Sequence, residues 1–386
     1  MDEANLDEGA NGGSWESLES LLRSPYPLFA KTLFLQGYDF SSNIYVIQDG
    51  YLTIIDPGND YTAFMELFAL GFKPPDIKKI VLTHGHVDHV GGAIELFRGY
   101  RGYQGLDVEI ILHEAGPVEF KKMAKELGCR LTEVGGGETL DLSGFEFEVI
   151  HTPGHTLDGI CLYHAPSLTV FSGDTVLPHA MADLDSSAGG RLDHYLYALR
   201  TLLKKDIENV MPGHGGLVVH IGQRVVEETY EGLIKKVVGP KTPWLEGAAT
   251  LAQKGLLEET LFYSNKELAE NPENLRALEF KAFSLNDLGR NQEALEVFDK
   301  ILAHQSDHFH ALLGKSTALM GLGQYEECLQ YLDKALGLKP DDKEALIYRG
   351  MALYLSGRYD EAMDIEPFRS EYAGRIKQEL LKKAEP

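Results

Sequence analysis

Short apolar runs separated by turn residues fill the first half of the chain. Between residues 27 and 219, segments such as NIYVI, YLTIID, KKIVLTH and FEFEVIHT alternate with Gly, Pro and Asp. Runs of this length with such boundaries predict β-strands. Apolar residues at helical spacing lie between some of the strands, around residues 61–70, 92–97, 117–127 and 192–204. The first half is therefore predicted to be an α/β domain in which helices cover mixed sheets.

The second half repeats itself with a period of 34 residues. The strand pattern ends at Val238, and GPKTP interrupts the chain before helical periodicity begins. Small residues recur at this spacing, as in Ala277, Ala311 and Ala345. The period is typical of tetratricopeptide repeats, in which pairs of antiparallel helices stack into an all-α solenoid. We expect four repeats before a terminal capping helix: 241–274, which is degenerate, 275–308, 309–342 and 343–366.

These patterns divide the chain into three parts. The chain opens with MDEANLDEGANGGS, which is acidic and rich in Gly and has no features of a secretory signal. We expect residues 1–23 to be a disordered lead-in. The α/β domain is predicted at residues 24–240 and the helical repeats at residues 241–386.

Composition and charge narrow the class of protein. The formal net charge of the 386 residues is -23, which disfavours nucleic acid because its binding depends on Lys and Arg. Cys129, Cys161 and Cys328 lie far apart and suit a reducing cytoplasm. No apolar run approaches the ~18 residues of a membrane span. The sequence favours a cytoplasmic protein with a small-molecule substrate, and it leaves the oligomeric state open.

Metal-ligand residues cluster where the strand KKIVL ends and a helix begins. The segment THGHVDH at residues 83–89 contains three imidazoles and a carboxylate. A loop at a strand end can turn these groups toward one point, and zinc accepts both ligand types at about 2.0–2.2 Å. Three further segments follow at predicted strand ends: HTPGHT at 151–156, FSGDT at 171–175 and MPGHG at 211–215. The pattern predicts a compact metal site.

Together with Asp56 in IDPG, these segments closely resemble the five-motif pattern of the metallo-β-lactamase superfamily, over about residues 28–236. The resemblance implies an αβ/βα sandwich and seven metal ligands. They are His84, His86 and His155 for a first metal, Asp88, His89 and His214 for a second, and Asp174 as the bridge. It also implies that Asp56 supports the ligand loops through hydrogen bonds without binding metal. Two divalent transition metals suit this ligand set, zinc first, with iron and manganese as alternatives.

The resemblance also implies a mechanism. Two metals ~3.5 to 4 Å apart can bind water between them and lower its pKa, so the predicted nucleophile is a bridging hydroxide. Asp88, beside that water, is the candidate catalytic residue that orients it and relays its proton. His179 follows Asp174 by five residues and is a candidate substrate contact.

Within the superfamily, the motifs are most similar to glyoxalase II and related thioester hydrolases. The sequence therefore predicts a binuclear metallohydrolase for ester-type substrates, thioesters first. A repeat array stands where glyoxalase II has a small domain with basic glutathione contacts, so glutathione specificity does not follow. Three alternatives stay open: a metal-dependent endoribonuclease or phosphodiesterase, a mono-iron persulfide dioxygenase, and a tetratricopeptide scaffold with an idle catalytic domain. The groove of the repeats is expected to bind a protein or peptide, or to brace the domain.

Overall fold

The computed structural model describes residues 14–38, 40–100 and 107–372. The chain divides into two compact units, Met1–Ile234 and Lys235–Pro386. The division falls inside the helix Gly222–Val238, a few residues before the boundary expected at 240/241. None of the helices in the described ranges has the length and apolar content that a bilayer crossing requires.

Two mixed β-sheets form the centre of the first unit. The first sheet follows chain order: β1 (Glu16–Ser17), β2 (Thr32–Leu35), β3 (Ile44–Asp49), β4 (Tyr51–Ile55), β5 (Ile77–Val81), β6 (Glu109–His113) and β7 (Arg130–Val134). It is antiparallel from β1 to β4 and parallel from β4 to β7. The second sheet contains β8 (Thr139–Leu142), β9 (Phe145–His151), β10 (Ile160–His164), β11 (Thr169–Gly173) and β12 (Asn209–Pro212). Its strands are antiparallel except for the parallel pair β11 and β12.

The described helices of this unit surround the sheets. They are α1 (Leu18–Leu22), α2 (Pro27–Ala30), α3 (Thr62–Ala69), α4 (Val87–Gly99), α5 (Val118–Glu126), α6 (Leu192–Leu202) and α7 (Gly222–Val238). Short 3₁₀ turns lie at Pro74–Asp76, Ala165–Ser167 and Ser186–Ala188.

The central strands of the first sheet are buried on both faces. Ile54 and Ile80 belong to a core cluster with residues of α3, α4 and α5. Their neighbours Ile55 and Val81 point the other way, into a cluster that includes Phe171 of the second sheet. A strand buried on both faces has a continuous run of apolar residues in its sequence, and the central strands show this pattern. The predicted α/β class with helix-covered mixed sheets is confirmed.

The beginning of the described chain differs from the expected lead-in. Residues 16–17 pair with β2, and Leu18 and Leu22 are buried in the cluster between the sheets. The core therefore begins before residue 24. The acidic, Gly-rich composition ends near residue 14, and WESLESLL after it has apolar residues at helical spacing. Residues 1–13 lie outside the described residues.

The second unit consists of helix pairs. The described helices are α8 (Trp244–Gln253), α9 (Leu257–Glu270), α10 (Leu275–Asp287), α11 (Asn291–His304), α12 (Phe309–Gly321), α13 (Tyr325–Leu338), α14 (Lys343–Leu355) and α15 (Tyr359–Asp364). Two helices fall within each expected repeat, and the all-α class is confirmed. Residues 366–372 are helical, and the rest of the expected capping helix lies outside the described residues.

Close packing between neighbouring helices depends on Gly314 of α12. A Cβ atom at this position would lie 2.3 Å from Cζ of Phe298 and 2.8 Å from Cε1 of Phe283. The Phe298 ring is fully buried, so its displacement would require the core residues around it to move as well. Gly314→Ala is therefore expected to lower the free energy of unfolding by about 1–3 kcal/mol.

Gly337 of α13 provides the matched control, because a Cβ there meets no atom within 4 Å. Gly337→Ala is expected to stabilise the protein by about 0.5–1 kcal/mol through helix propensity. Thermal unfolding of the two full-length variants measures both effects. Equal shifts in one direction would contradict the packing role of Gly314.

Candidate metal centre

The expected ligands and the supporting residue Asp56 follow strand ends, with Asp88 and His89 in the first turn of α4. Asp56 follows β4, the segment 83–89 follows β5, and Asp174 and His214 follow β11 and β12. Hydrogen bonds between backbone groups join these loops, from Ile160 N to Thr83 O at 2.8 Å and from Gly213 N to Gly173 O at 2.7 Å. Side chains that are far apart in the sequence therefore meet at one edge of the two sheets.

Three histidines form a first cluster. His86 Nδ1 lies 3.1 Å from His84 Nε2 and 3.0 Å from His155 Nε2. Ligand atoms around a tetrahedral zinc at ~2.0–2.1 Å lie roughly 3.3 Å apart, so the three nitrogens are spaced as one cation requires.

A second cluster lies beside the first. His214 Nε2 is 3.0 Å from Asp88 Oδ2 and 3.3 Å from His89 Nε2, and His89 Nε2 is 3.6 Å from the same carboxylate oxygen. Two imidazoles and one carboxylate converge here, which is again a ligand set for one divalent cation.

Asp174 lies between the two clusters. Its Oδ2 is 3.7 Å from His155 Nε2 of the first cluster and 3.7 Å from His214 Nε2 of the second. Its Oδ1 is 3.4 Å from His89 Nε2, is buried, and has no hydrogen-bond partner among the described residues. A buried carboxylate oxygen without a donor is costly unless a positive charge faces it. The residues present therefore fit a pair of cations.

Asp56 orients the imidazoles of His89 and His84 through hydrogen bonds, directly for His89 and through Thr83 for His84. His89 Nδ1 donates to Asp56 Oδ2 at 2.8 Å, and Thr83 Oγ1 donates to the same oxygen at 2.6 Å. The Thr83 N–H donates to Oδ1 at 2.8 Å. His84 Nδ1 donates in turn to Thr83 Oγ1 at 3.2 Å. With the proton of each ring on Nδ1, the Nε2 atoms of His84 and His89 are left as electron-pair donors toward the clusters.

The loop before α6 orients the other two histidines of the first cluster, and the sequence reasoning missed it. His86 Nε2 donates to Asp185 Oδ2 at 2.9 Å, and His155 Nδ1 donates to the Asp183 carbonyl at 2.5 Å. The second oxygen of Asp185 accepts N–H bonds from Ser187 and Ala188. The segment DSSAG carried a turn signal of this kind, Asp followed by Ser, but no metal-site motif.

Electrostatics at the site keep His84 neutral and Asp174 ionised, and they place negative charge around His89. Burial and neighbouring imidazoles hold the pKa of His84 well below its usual value, so its ring is neutral. Burial would raise the pKa of Asp174, but the imidazoles of His89 and His84 keep it well below the usual range. Burial opposes charge on His89 as well, yet Asp56 and Asp174 raise its pKa to about 10. The carboxylates of Asp56 and Asp174 thus favour a positive charge at the position of His89.

His179 belongs to neither cluster. It occupies a tight turn closed by the bridge between Leu177 and Ala180, and it is exposed. Its backbone φ is 58°, a conformation uncommon for residues other than Gly. The turn lies beside the His214 loop, since a Cβ at Gly215 would be 3.1 Å from Cγ of Pro178.

Comparison with known families gives the class of protein. The model of the metallo-beta-lactamase superfamily matches residues 37–214. Two tetratricopeptide repeat models match residues 285–335 and 313–366. Residues 37–214 are therefore a metallo-beta-lactamase domain, and the C-terminal part of the chain carries tetratricopeptide repeats.

Similar proteins include hydrolases. The chain is 26% identical over 197 residues to an atrochrysone carboxyl ACP thioesterase of Aspergillus fumigatus, covering 50% of this chain and 56% of that protein. It is 37% identical over 130 residues to a hydroxyacylglutathione hydrolase of Serratia proteamaculans, covering 33% and 44%. The chain thus spans about half the length of the curated relatives it matches. A metallo-beta-lactamase family protein of Thermus thermophilus is similar with a TM-score of 0.42 and 22% identity, covering 63% of this chain and 94% of that one.

Proposed function

We propose that the protein is a binuclear metallohydrolase that cleaves ester-type substrates, thioesters first. The observation that carries the proposal is the pair of ligand clusters with Asp174 between them. His84, His86 and His155 would hold one cation, and Asp88, His89 and His214 the other. Bound there, two divalent cations, zinc first with iron or manganese as alternatives, would supply Lewis acidity and lower the pKa of water.

The chain's own groups divide the remaining work. The Asp88 side chain is 24% exposed and that of Asp174 is 11% exposed, so Asp88 is the carboxylate that water and substrate can reach. We assign it the orientation of the attacking water and the acceptance of its proton. His179, exposed on the turn beside the His214 loop, is the candidate contact to substrate. In the reaction, water adds to the acyl carbon, the carbon–sulfur bond breaks, and a carboxylic acid and a thiol leave without any change of oxidation state.

Thioesters are placed first because of the similar proteins and the ligand set. One relative is a thioesterase by name, and the donor groups suit hydrolysis without a redox partner. For the second unit we propose a protein or peptide partner, which is the common role of stacked helical repeats.

A reconstitution experiment tests the hydrolase. The purified full-length chain is stripped with a chelator, reloaded with zinc, and assayed by release of thiol from N-acetylcysteamine thioesters. We expect two metal ions per chain and turnover only after reloading. One iron per chain with consumption of oxygen, or cleavage of RNA in place of thioesters, would contradict the proposal.

The role of Asp185 gives a separate prediction. Asp185→Ala removes the acceptor that fixes the His86 ring, so affinity for the first cation is expected to fall about 10-fold or more. Ser187→Ala is the matched control, because Ser187 contacts only the other oxygen of Asp185. Competition with a chromophoric chelator measures both affinities. Equal losses in the two variants would show that the loop acts through its fold and not through the bond to His86.

A further inference from the structure

The segments that bear the candidate metal centre lack Lys and Arg. Lys121 and Arg191, which contact two of these segments, have side chains paired with Glu133 and Asp193. The segments that contain or contact the two clusters are 36–43, 56–62, 83–92, 113–118, 151–160, 172–190 and 211–219. Their described residues, which leave out position 39, contain eight Asp and Glu residues and no Lys or Arg. These carboxylates outnumber the charges of two divalent cations. An anionic group on a substrate would therefore meet repulsion and no partner in these segments.

Exposed aliphatic side chains stand around the first cluster, and two of them lie next to its ligand loop. Val87, between His86 and Asp88, is 72% exposed. Val118 is 75% exposed at the start of α5. It follows Pro117, whose ring lies against Gly85, because a Cβ at Gly85 would be 2.2 Å from Cγ of that ring.

Two leucines lie on the other loops that contact or contain ligands of the same cluster. Leu157 is 39% exposed, and its N–H bonds to the Ala188 carbonyl. Leu184 is 40% exposed and lies between Asp183 and Asp185, which hold His155 and His86. We call Val87, Val118, Leu157 and Leu184 the collar. Single exposed apolar residues are ordinary on a protein surface. Four of them in or beside the loops of one polar cluster are typical of a ligand site.

We propose that the collar receives the acyl group of the substrate, and that the enzyme prefers esters and thioesters whose acyl group is apolar and uncharged. This inference rests on the proposed hydrolase function and names its substrate class. The two observations are independent, since the collar favours apolar chains and the acidic segments disfavour anions.

Three N-acetylcysteamine thioesters separate the two effects: acetyl, hexanoyl, and adipyl, which has the length of hexanoyl and ends in a carboxylate. Each methylene removed from water strengthens binding about fourfold, and we expect kcat/KM for hexanoyl to exceed that for acetyl and for adipyl by at least about tenfold. Equal or reversed preferences would overturn the proposal.

A double variant, Val118→Ser with Leu184→Ser, tests the collar directly. Loss of the preference for hexanoyl over acetyl by about tenfold is the expected result. Met65→Ser is the control, because Met65 is 62% exposed on α3, outside the segments named above. If Met65→Ser reduces the preference as much as the double variant does, the collar is not the acyl site.

Binding of uncleavable thioethers distinguishes the two proposals. Calorimetry with S-hexyl and S-(5-carboxypentyl) N-acetylcysteamine reports recognition without chemistry. Tighter binding of the S-hexyl compound without turnover of any thioester would overturn the hydrolase and support the collar. Turnover with equal binding of the two thioethers would support the hydrolase and overturn the collar.

Discussion

Replacing Asp174 by alanine is expected to lower the metal content below two ions per chain and to reduce kcat/KM for thioesters by about 10³-fold or more. The carboxylate lies within 3.7 Å of candidate ligand atoms in both clusters, so its loss removes the one negative group common to the two. Metal analysis and thiol release on the same preparations measure the two effects. The variant also removes a carboxylate that contacts the buried His89 ring. Thermal unfolding of the variant therefore has to be measured, so that a loss of stability is not mistaken for a loss of metal binding.

Asp174→Asn and Asp193→Ala complete this test. Asn keeps the volume of the buried side chain and removes the charge, so a folded Asn variant with low metal content separates the charge from packing. Asp193 is an exposed carboxylate paired with Arg191, and its loss is expected to change neither readout. Undiminished hydrolysis in both Asp174 variants would show that Asp174 is not the bridge.

The sequence predicted the elements of the first unit to within a few residues where apolar periodicity was undisturbed. The helix expected at 192–204 is α6, at Leu192–Leu202, and the helix expected at 117–127 is α5, at Val118–Glu126. The helix expected at 92–97 is longer, because α4 begins at Val87. Gly91 and Gly92 interrupted its apolar pattern. Both positions require Gly, because a Cβ atom at residue 91 or 92 would collide with the carbonyl group of Asn59 or Pro57.

The site could be predicted in part for a similar reason. The motifs contain the residue types that converge in the two clusters, and each motif follows a strand. Asp185 does not follow a strand. It lies in a long loop, and only the folded chain brings it within hydrogen-bond distance of His86. Which ring nitrogen faces each cluster was also beyond sequence, because the tautomer depends on partners such as Asp185 and the carbonyl of Asp183.

Asp56→Asn is expected to weaken binding of the second cation about 10- to 100-fold and to lower kcat/KM about 10²-fold or more, with the fold retained. Asn tolerates the φ of 51° at this position, and its carbonyl can still accept the Thr83 N–H. Its amide, however, would direct N–H groups at the Nδ1–H of His89. The ring avoids this conflict by moving its proton to Nε2, the atom that would bind metal.

Histidine nitrogen shifts in long-range ¹H–¹⁵N spectra report this change directly and do not depend on activity. In zinc-loaded samples, the expected spectrum shows the proton of His89 on Nδ1 in the native protein and on Nε2 in the variant. Asp60→Asn makes the same substitution in the same loop, where Asp60 accepts only the Thr62 N–H among the described residues, and both the tautomer and the metal affinity are expected to stay unchanged. If Asp56→Asn left the His89 tautomer and both affinities as they are, the bond from His89 to Asp56 would not set the ligand atom. Orientation of that ring would then come from packing alone, which its complete burial also permits.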